Sequence, residues 1–228
     1  MANQQVSDPQ ESLGQAMSKT ELFLENNGRK FSYIILAVLA IAAVIYGYRA
    51  LISQPRAEKA AEMIAEAQLR FEAENPDFEL ALTGDANGAG FLNVIEQYGS
   101  TPSGNLAKHY AGICYLRKGD WANAAKYLAQ YSAVKGLAGA LINAQNLGLQ
   151  GDVAVEQGNY AAAVKFYEKA VKAADNNMTA PTYLRKAGLA ERAAGNAPAA
   201  TAYFERIIRE YPASMEAQEA EKLLGKNK

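Results

Sequence analysis

A long uncharged apolar run stands near the start of the chain. Residues 31–48 contain no charged side chain and consist mostly of Ile, Leu, Ala, Val and Tyr. At about 1.5 Å per residue, a helix over this run and the few residues after it matches a hydrocarbon layer of about 30 Å. Tyr33, Tyr46 and Tyr48 lie near the two ends, where aromatic rings with a polar tip prefer the membrane interface. The pattern predicts a transmembrane helix over residues 31–52.

Two other structures fit part of this pattern. A buried core helix would also be apolar, but an uncharged run of this length with basic residues on both flanks is typical of a membrane span. A cleaved signal peptide is the stronger alternative. Against it, the polar residues 1–30 precede the run, and cleavage after Ala50 would place the bulky Tyr48 where a small residue is required. We therefore expect an uncleaved anchor.

The charges beside the run do not choose its orientation in the membrane. Each side carries three basic residues close to the run: Lys19, Arg29 and Lys30 before it, and Arg49, Arg56 and Lys59 after it. The tendency of basic residues to stay in the cytoplasm therefore gives no preference.

The segment before the run is polar. Residues 1–17 predict a disordered tail, because they contain too few apolar groups for a packed structure. Ser18 and Glu21 have the spacing of a capping box, which predicts a short juxtamembrane helix over about residues 19–27.

The segment after the run, residues 53–228, is predicted to form one helical domain. Apolar residues at helical spacing predict a helix over residues 57–74, and a second one over residues 91–98. Between them, residues 84–90 are rich in glycine. They lack the strand and the complete glycine spacing of a dinucleotide loop, and the lysine of a phosphate loop, so they predict a flexible connection.

The rest of the chain repeats with a period in the thirties. In each copy two glycines lie seven residues apart, and Asp or Asn directly follows the second glycine. An alanine stands five residues after the second glycine, and a large apolar residue stands four residues after that alanine. The three copies carry Gly112, Gly119, Asp120, Ala124 and Leu128; Gly151, Gly158, Asn159, Ala163 and Tyr167; and Gly188, Gly195, Asn196, Ala200 and Phe204.

Each repeated residue type has a mechanical role in a pair of helices. The first glycine lets the two helices cross closely, and the second ends the first helix in the left-handed conformation. Asp or Asn then caps the partner helix, the alanine permits close approach, and the large residue fills the space between neighbouring repeats. The pattern predicts repeats at about 105–134, 144–174 and 181–212, with extra residues near 134–140, and a capping helix at 214–225.

This pattern resembles the tetratricopeptide repeat, in which helix pairs stack into a right-handed superhelix. The spacing matches better than the identities, because Tyr115 keeps the tyrosine of the family while Ala154 and Glu191 replace it. The resemblance implies an all-α fold: a single N-terminal transmembrane helix followed by a tetratricopeptide-like right-handed α-solenoid. Residues 57–99 would add a divergent helix pair in front of the repeats.

Several stretches outside the repeat pattern resemble a bacterial family of membrane-anchored tetratricopeptide proteins related to the ancillary SecYEG translocon subunit, in its Bacteroidota-type version. They are Thr20-Glu21-x-Phe23-Leu24-Glu25-x-Asn27, Ala81-Leu82-x-Gly84-Asp85, Gly90-Phe91-Leu92, Tyr98-Gly99, Gly104-Asn105-Leu106-Ala107, Tyr110 to Leu116, and Lys172 to Asn176. The resemblance implies a protein of the bacterial inner membrane with a cytoplasmic N-terminus and a periplasmic repeat domain. It also implies a role beside the translocon, with the translocon and periplasmic chaperones as partners.

Charge and reactive residues exclude several classes of function. The formal net charge is −1, so the chain lacks the basic excess of a nucleic-acid-binding protein. Cys114 is the sole cysteine and His109 the sole histidine, which rules out an internal disulfide and a typical zinc site. His109, expected to be partly exposed on a helix, has no nucleophile or base beside it. We expect no enzyme activity, no cofactor and no small-molecule substrate.

A partner-binding groove is the better candidate site. In tetratricopeptide arrays the first helix of each repeat lines the concave face, which would suit an extended peptide or a partner helix. Exposed charges on a merely solvated face would look the same. The predicted groove residues are His109, Ile113, Leu116, Arg117, Gln145, Asp152, Glu156, Arg185, Leu189 and Arg192.

The sequence therefore predicts a membrane-tethered scaffold for protein–protein interactions that assists translocon-linked handling of exported proteins. The alternative is a structural scaffold or assembly factor of an envelope complex, such as the division or cell-wall machinery. An enzyme with an unrecognised site is a third hypothesis, and the sequence displays no cofactor motif or convergent acid–base groups for it.

Overall fold

The computed structural model describes the backbone of residues 9–225 and the side chains of residues 27–225. The chain divides after Pro55 into two compact units. The elements are α1 (Pro9–Tyr48), a π-helical turn (Arg49–Ser53), α2 (Gln54–Phe71), α3 (Phe78–Thr83), β1 (Gly84–Asp85), β2 (Gly88–Ala89), α4 (Phe91–Tyr98), α5 (Pro102–Arg117), α6 (Trp121–Gln130), α7 (Leu137–Glu156), α8 (Tyr160–Ala173), α9 (Ala180–Ala193), α10 (Ala197–Glu210) and α11 (Met215–Leu223).

The first unit is one long helix and the turn after it. α1 begins at Pro9, where proline suits the first helical turn, and continues without a break to Tyr48. One continuous helix therefore replaces the short helix predicted over residues 19–27 and the part of the predicted tail from residue 9 onward. The first part of that tail, residues 1–8, lies outside the described residues. The glycines within α1 cost only about 1 kcal/mol each, which is too little to interrupt a helix with no internal proline.

Within the described residues, one helical segment is long and apolar enough to cross a membrane. An 18-residue stretch of it has a mean hydropathy of 2.2, and none of those residues is buried. Its apolar side chains, such as Leu36 and Val44, face outward with 68% and 71% of their surface exposed. Within the described residues this stretch therefore has the exposed surface of a membrane span rather than the burial of a core helix.

The second unit consists of packed helix pairs. α5 packs on α6, α7 on α8, and α9 on α10, while α11 contacts both helices of the last pair. The three pairs overlap the ranges predicted for the repeats, and α11 overlaps the range predicted for the capping helix. α3 and α4 pack against α5 at the other end. There Leu82, Phe91 and Val94 form a core cluster with Ala107 and Ala111 of α5.

The first glycine of each repeat lies under the large residue of the same repeat. A methyl group added at Gly112 would stand 2.5 Å from Leu128 Cγ, one at Gly151 2.5 Å from Tyr167 Cε1, and one at Gly188 2.6 Å from Phe204 Cε1. The predicted close crossing of paired helices is confirmed. The large residue covers its own repeat's glycine and, as Leu128 does with Val153 of the next repeat, also packs between neighbouring repeats as predicted.

The second glycine and the following Asp or Asn build the turn between paired helices. Gly158 has φ +71°, which lets its own N–H and that of Asn159 bond back to carbonyls of α7. The Asn159 side chain then accepts a hydrogen bond of 3.1 Å from Ala162 N–H and caps α8. The other two repeats have the same arrangement, so the prediction of cap and start from this spacing is confirmed.

Two connections differ from the predictions. Residues 84–90 were expected to be flexible, but they form a small hairpin held by α2: Arg70 donates to the carbonyls of Gly88 and Ala89 and pairs with Asp85 at 2.8 Å. Residues 134–140 were expected to be an insertion between two repeats, but they are partly helical, because α7 already begins at Leu137. With 20 residues, α7 is longer than the equivalent helices α5, with 16, and α9, with 14.

Candidate functional site

A pocket of about 440 Å³ lies on the face formed by α5, with α7 on one side and the end of α2 on the other. Its floor is apolar and its rim carries charged and amide side chains. Six of the ten predicted groove residues line it. The full lining is Phe71, Glu72, Leu106, His109, Tyr110, Ile113, Leu116, Arg117, Ile142, Gln145, Leu149 and Asp152.

Helical spacing explains both the residues that the sequence indicated and those it missed. Leu106 lies one helical turn before the predicted residues of α5, while Ile142 and Leu149 flank Gln145 at three and four residues. An extension of the predicted pattern by one turn would have found them. Phe71 ends α2 and Glu72 follows it directly, and only the tertiary packing brings them to this pocket.

His109 is a buried part of the pocket wall. Only 2% of its surface is exposed, which corrects the expectation of a partly exposed residue. The cause is the packing of its ring against Tyr110 and Tyr131, with centroid distances of 5.8 and 5.7 Å. Burial lowers the pKa of the imidazole below 6.5, although the hydrogen bond to Gln145 acts in the opposite direction.

Both ring nitrogens of His109 have amide partners on α7. Asn146 Nδ2 donates to Nδ1 at 3.1 Å, and Nε2 lies 3.3 Å from Gln145 Oε1. The imidazole therefore carries its proton on Nε2, because Nδ1 faces a donor and Nε2 faces an acceptor. Asn146 in turn accepts from Gln150 at 2.8 Å. The buried Asn146, which the sequence did not single out, joins α5 to α7.

Asp152 forms the polar end of the pocket. Its carboxylate accepts two hydrogen bonds of 2.8 Å from Lys186 Nζ on α9 and one of 2.8 Å from the Tyr167 hydroxyl. Burial and the neighbouring Asp152 carboxylate raise the pKa of Tyr167, which therefore stays a neutral donor. Asp152 is thus engaged within the protein, so its charge is offset before any partner arrives.

The remaining predicted groove residues lie outside this pocket. Leu189 lines a separate cavity of about 190 Å³, together with Val155, Tyr160 and Lys186. Arg185 is half-buried and pairs with Glu219 of α11, with Nε and Oε2 at 3.3 Å. Two others, Glu156 and Arg192, are exposed near the C-terminal ends of α7 and α9.

Polar contacts of this kind recur between successive first helices. The paired residues are separated by 34 to 37 positions, close to the repeat period: His109 with Gln145 and Asn146, Asp152 with Lys186, and Thr182 with Glu216. Arg185 and Glu219 have the same separation of 34. Several predicted groove residues therefore hold neighbouring repeats together.

The described residues contain no group of three or more His, Cys, Asp or Glu side chains that could hold a metal ion. Cys114 is buried, and this burial raises the pKa of its thiol to about 12. Such a thiol stays protonated and is a poor nucleophile. The chemistry that the pocket offers is recognition by shape, apolar contact and a few charges.

Comparison with known proteins supports the repeat pattern. The family model described as tetratricopeptide repeat matches residues 115–179 and, in a second overlapping match, residues 149–215. The two matches together cover residues 115–215, somewhat less than half of the chain. Tetratricopeptide repeats stack into surfaces that bind other proteins, and the helix pairs from α5 to α10 are tetratricopeptide-like.

Two crystal structures of MamA are similar to this chain. One aligns with 59% of this chain and 79% of its own length, with a TM-score of 0.43 and 17% sequence identity. The other aligns with 79% of this chain and 93% of its own length, with a TM-score of 0.42 and 17% identity. No curated protein sequence matches the chain.

Proposed function

We propose that this protein is a membrane-tethered scaffold that holds partner proteins in the pocket formed by α2, α5 and α7. The observation that carries the proposal is this pocket: an apolar floor of about 440 Å³ with a polar rim, built on the first helices of tetratricopeptide repeats. A cavity of this size takes one or two large side chains of a bound polypeptide. Tethering to a membrane would raise the effective concentration of the pocket near partners in the same membrane.

We further propose that the partners belong to the machinery of protein export. The support is the resemblance of the stretches around Phe23, Leu82, Phe91 and Tyr110 to membrane-anchored proteins related to the ancillary translocon subunit. In this proposal α1 is an anchor in the bacterial inner membrane, and the repeats lie in the periplasm. There they link the translocon to chaperones that receive the exported chain.

Photo-crosslinking in living cells tests both parts of the proposal. A photoreactive amino acid at Leu106, inside the pocket, is expected to capture a defined set of proteins that includes translocon subunits. Gln145→Trp fills the pocket from an exposed position and is expected to reduce this capture about tenfold, since a bound side chain contributes roughly 1.5–3 kcal/mol. Gln130→Trp, the same exchange at an exposed position of α6 outside the pocket, serves as the matched control.

The results separate the two parts. Equal capture by the Gln145→Trp and Gln130→Trp variants would contradict a role for the pocket. Capture that depends on the pocket but contains no component of the export machinery would leave the scaffold in place and refute the translocon link. Identification of the crosslinked proteins by mass spectrometry decides between these results.

A further inference from the structure

The pocket continues along α7 as a row of side chains that becomes more exposed toward the start of the helix. Leu149 and Gln145 line the pocket, and Leu141 and Leu137 follow at the same four-residue spacing. Leu141 has 44% and Leu137 84% of its surface exposed. Residues spaced four apart form one ridge on a helix surface. We name the row Leu137, Leu141, Gln145 and Leu149 the α7 ridge.

The length of α7 explains why the α7 ridge is uncovered. Only six residues separate the end of α6 from the start of α7, so the first turns of α7 occupy positions that were expected to be a connection. The preceding chain is fixed against α7, because Asn143 bonds to both backbone groups of Val134 and accepts from the Tyr131 hydroxyl. This segment is therefore held against Asn143, and the two leucines at the start of the ridge stay exposed.

Two exposed basic residues lie near the two ends of the surface that the pocket and the α7 ridge form. Arg117 lines the pocket at the end of α5, and Lys135 precedes Leu137 by two residues. Within the described residues, neither has an ion-pair partner within 4 Å, whereas Asp152 is paired with Lys186. The exposed acid at this site is Glu72, on the opposite wall of the pocket. An occupant with an acidic residue at each end would complement the two cations.

We propose that the α7 ridge and the pocket together bind an amphipathic helix of a partner protein, with an apolar face and acidic residues near both ends. This inference rests on the proposed function and specifies the partner of the same site. A row of side chains spaced four apart, three of them leucine here, forms a ridge that packs into the groove of a second helix. From Leu137 to Asp152 the surface runs for about 22 Å, the length of a partner helix of about 15 residues.

The occupant inserts one large apolar side chain into the pocket and lays the next turns of its apolar face over Leu141 and Leu137. An extended peptide would use the pocket but would leave most of the α7 ridge uncovered, because extended chains cross helical repeats rather than follow one helix. This difference makes the shape of the occupant testable independently of whether the pocket binds proteins.

Fluorescence anisotropy with the full-length protein in nanodiscs tests the inference. The probe is a labelled peptide of about 15 residues with leucines four apart, glutamates at both ends and a side-chain staple that keeps it helical. The comparison peptide has the same composition with two prolines that prevent a helix. Signals from empty nanodiscs are subtracted. We expect the stapled peptide to bind at least tenfold more tightly than the proline peptide.

Matched variants locate the binding. Leu141→Ser is expected to weaken binding of the stapled peptide about tenfold, since one buried leucine contact is lost. Leu223→Ser on α11, where the leucine is 37% exposed, is expected to leave it unchanged. Arg117→Gln should weaken binding about two- to fivefold and reduce its salt dependence, as for an exposed ion pair. Arg209→Gln, an exposed arginine of α10, is its control.

Each contrary result overturns the inference in a recognisable way. Equal or tighter binding of the proline peptide would show an extended occupant and would leave the scaffold function intact. Absence of binding by both peptides would reject a helical partner, while the crosslinking experiment still tests the scaffold. Quenching of a fluorophore at Leu141→Cys by spin-labelled lipid would show that the bilayer covers the ridge. Dimers that disappear in Leu141→Ser would show that a second copy covers it.

Discussion

His109 has a defined chemical state in the pocket wall. Asn146 donates to its Nδ1, Nε2 faces the Gln145 carbonyl oxygen, and the rings of Tyr110 and Tyr131 cover it. A second proton would have to be placed on Nδ1, where it would meet the amide hydrogens of Asn146. Burial therefore favours the neutral imidazole and lowers its pKa.

This state makes the stability of the domain depend on pH. The folded pKa lies below the usual value of 6.5, so between the two values the unfolded chain binds a proton that the folded chain does not. The free energy of unfolding should therefore fall as the pH drops below about 6.5, and should be fully retained above it. Urea unfolding at several pH values from 7.5 to 5.0 measures this dependence.

The control is His109→Gln, which keeps an amide donor and acceptor but does not titrate. Its unfolding free energy should change less with pH over the same range, so any stability advantage of the native protein over this variant should decrease toward low pH. Because the chain has one histidine, ¹⁵N NMR of the imidazole reports its state without overlap. A folded pKa at or above 6.5, or a proton on Nδ1, would contradict the described geometry.

At the scale of elements, the close crossing of paired helices depends on glycine. An alanine in place of a helical glycine is ordinarily stabilising by about 0.5–1 kcal/mol. At Gly188 the added carbon would lie 2.6 Å from Phe204 Cε1, well inside van der Waals contact. The aromatic ring is rigid and belongs to a core cluster with Leu184 and Ile207, so it cannot move away without cost.

We therefore predict that Gly188→Ala destabilises the protein by about 1–3 kcal/mol, which reverses the usual sign for this substitution. Thermal or urea unfolding measures the loss. In a Phe204→Leu background the smaller side chain leaves room, so the additional loss from Gly188→Ala should shrink in a double-mutant cycle. Additive losses in the two variants would show that the ring and the glycine do not touch.

At the scale of the whole molecule, the two units have opposite surfaces. The apolar stretch of α1 is exposed, as a helix in contact with lipid must be, whereas the repeat unit buries its apolar residues in clusters between helices.

A membrane-impermeant thiol reagent applied after permeabilisation of the outer membrane tests how the chain is oriented. We expect a cysteine at Met178, 85% exposed in the repeat unit, to be labelled, and one at Ser7 to be protected.

The background for both cysteines is Cys114→Ala, which removes the buried native thiol. Labelling at Ser7 and protection at Met178 would place the repeats in the cytoplasm and would refute the proposed link to periplasmic chaperones. Labelling of both positions before lysis would contradict a membrane span between them. Lysed cells, in which both positions should react, control for the reactivity of each cysteine.

Local chemistry determined much of this protein before any packing was considered. A run of residues without charge predicts a membrane span because an unpaired charge is costly in hydrocarbon. Gly158 and Asn159 predict a helix end followed by a helix start. Glycine adopts the left-handed conformation that ends the first helix, and the asparagine side chain accepts from the first free N–H groups of the next helix. These signals act between residues close in sequence, so the sequence shows them directly.

Only the tertiary structure decided what the predicted groove residues do. Asp152 and Arg185 looked available for a partner, but Lys186 and Glu219 already pair with them across neighbouring helices. His109 looked exposed because part of its cover, the ring of Tyr131 and the amide of Asn146, comes from distant parts of the chain. The α7 ridge became visible only once α7 was seen to start at Leu137. Burial and pairing depend on contacts between residues distant in sequence, and local patterns do not contain that information.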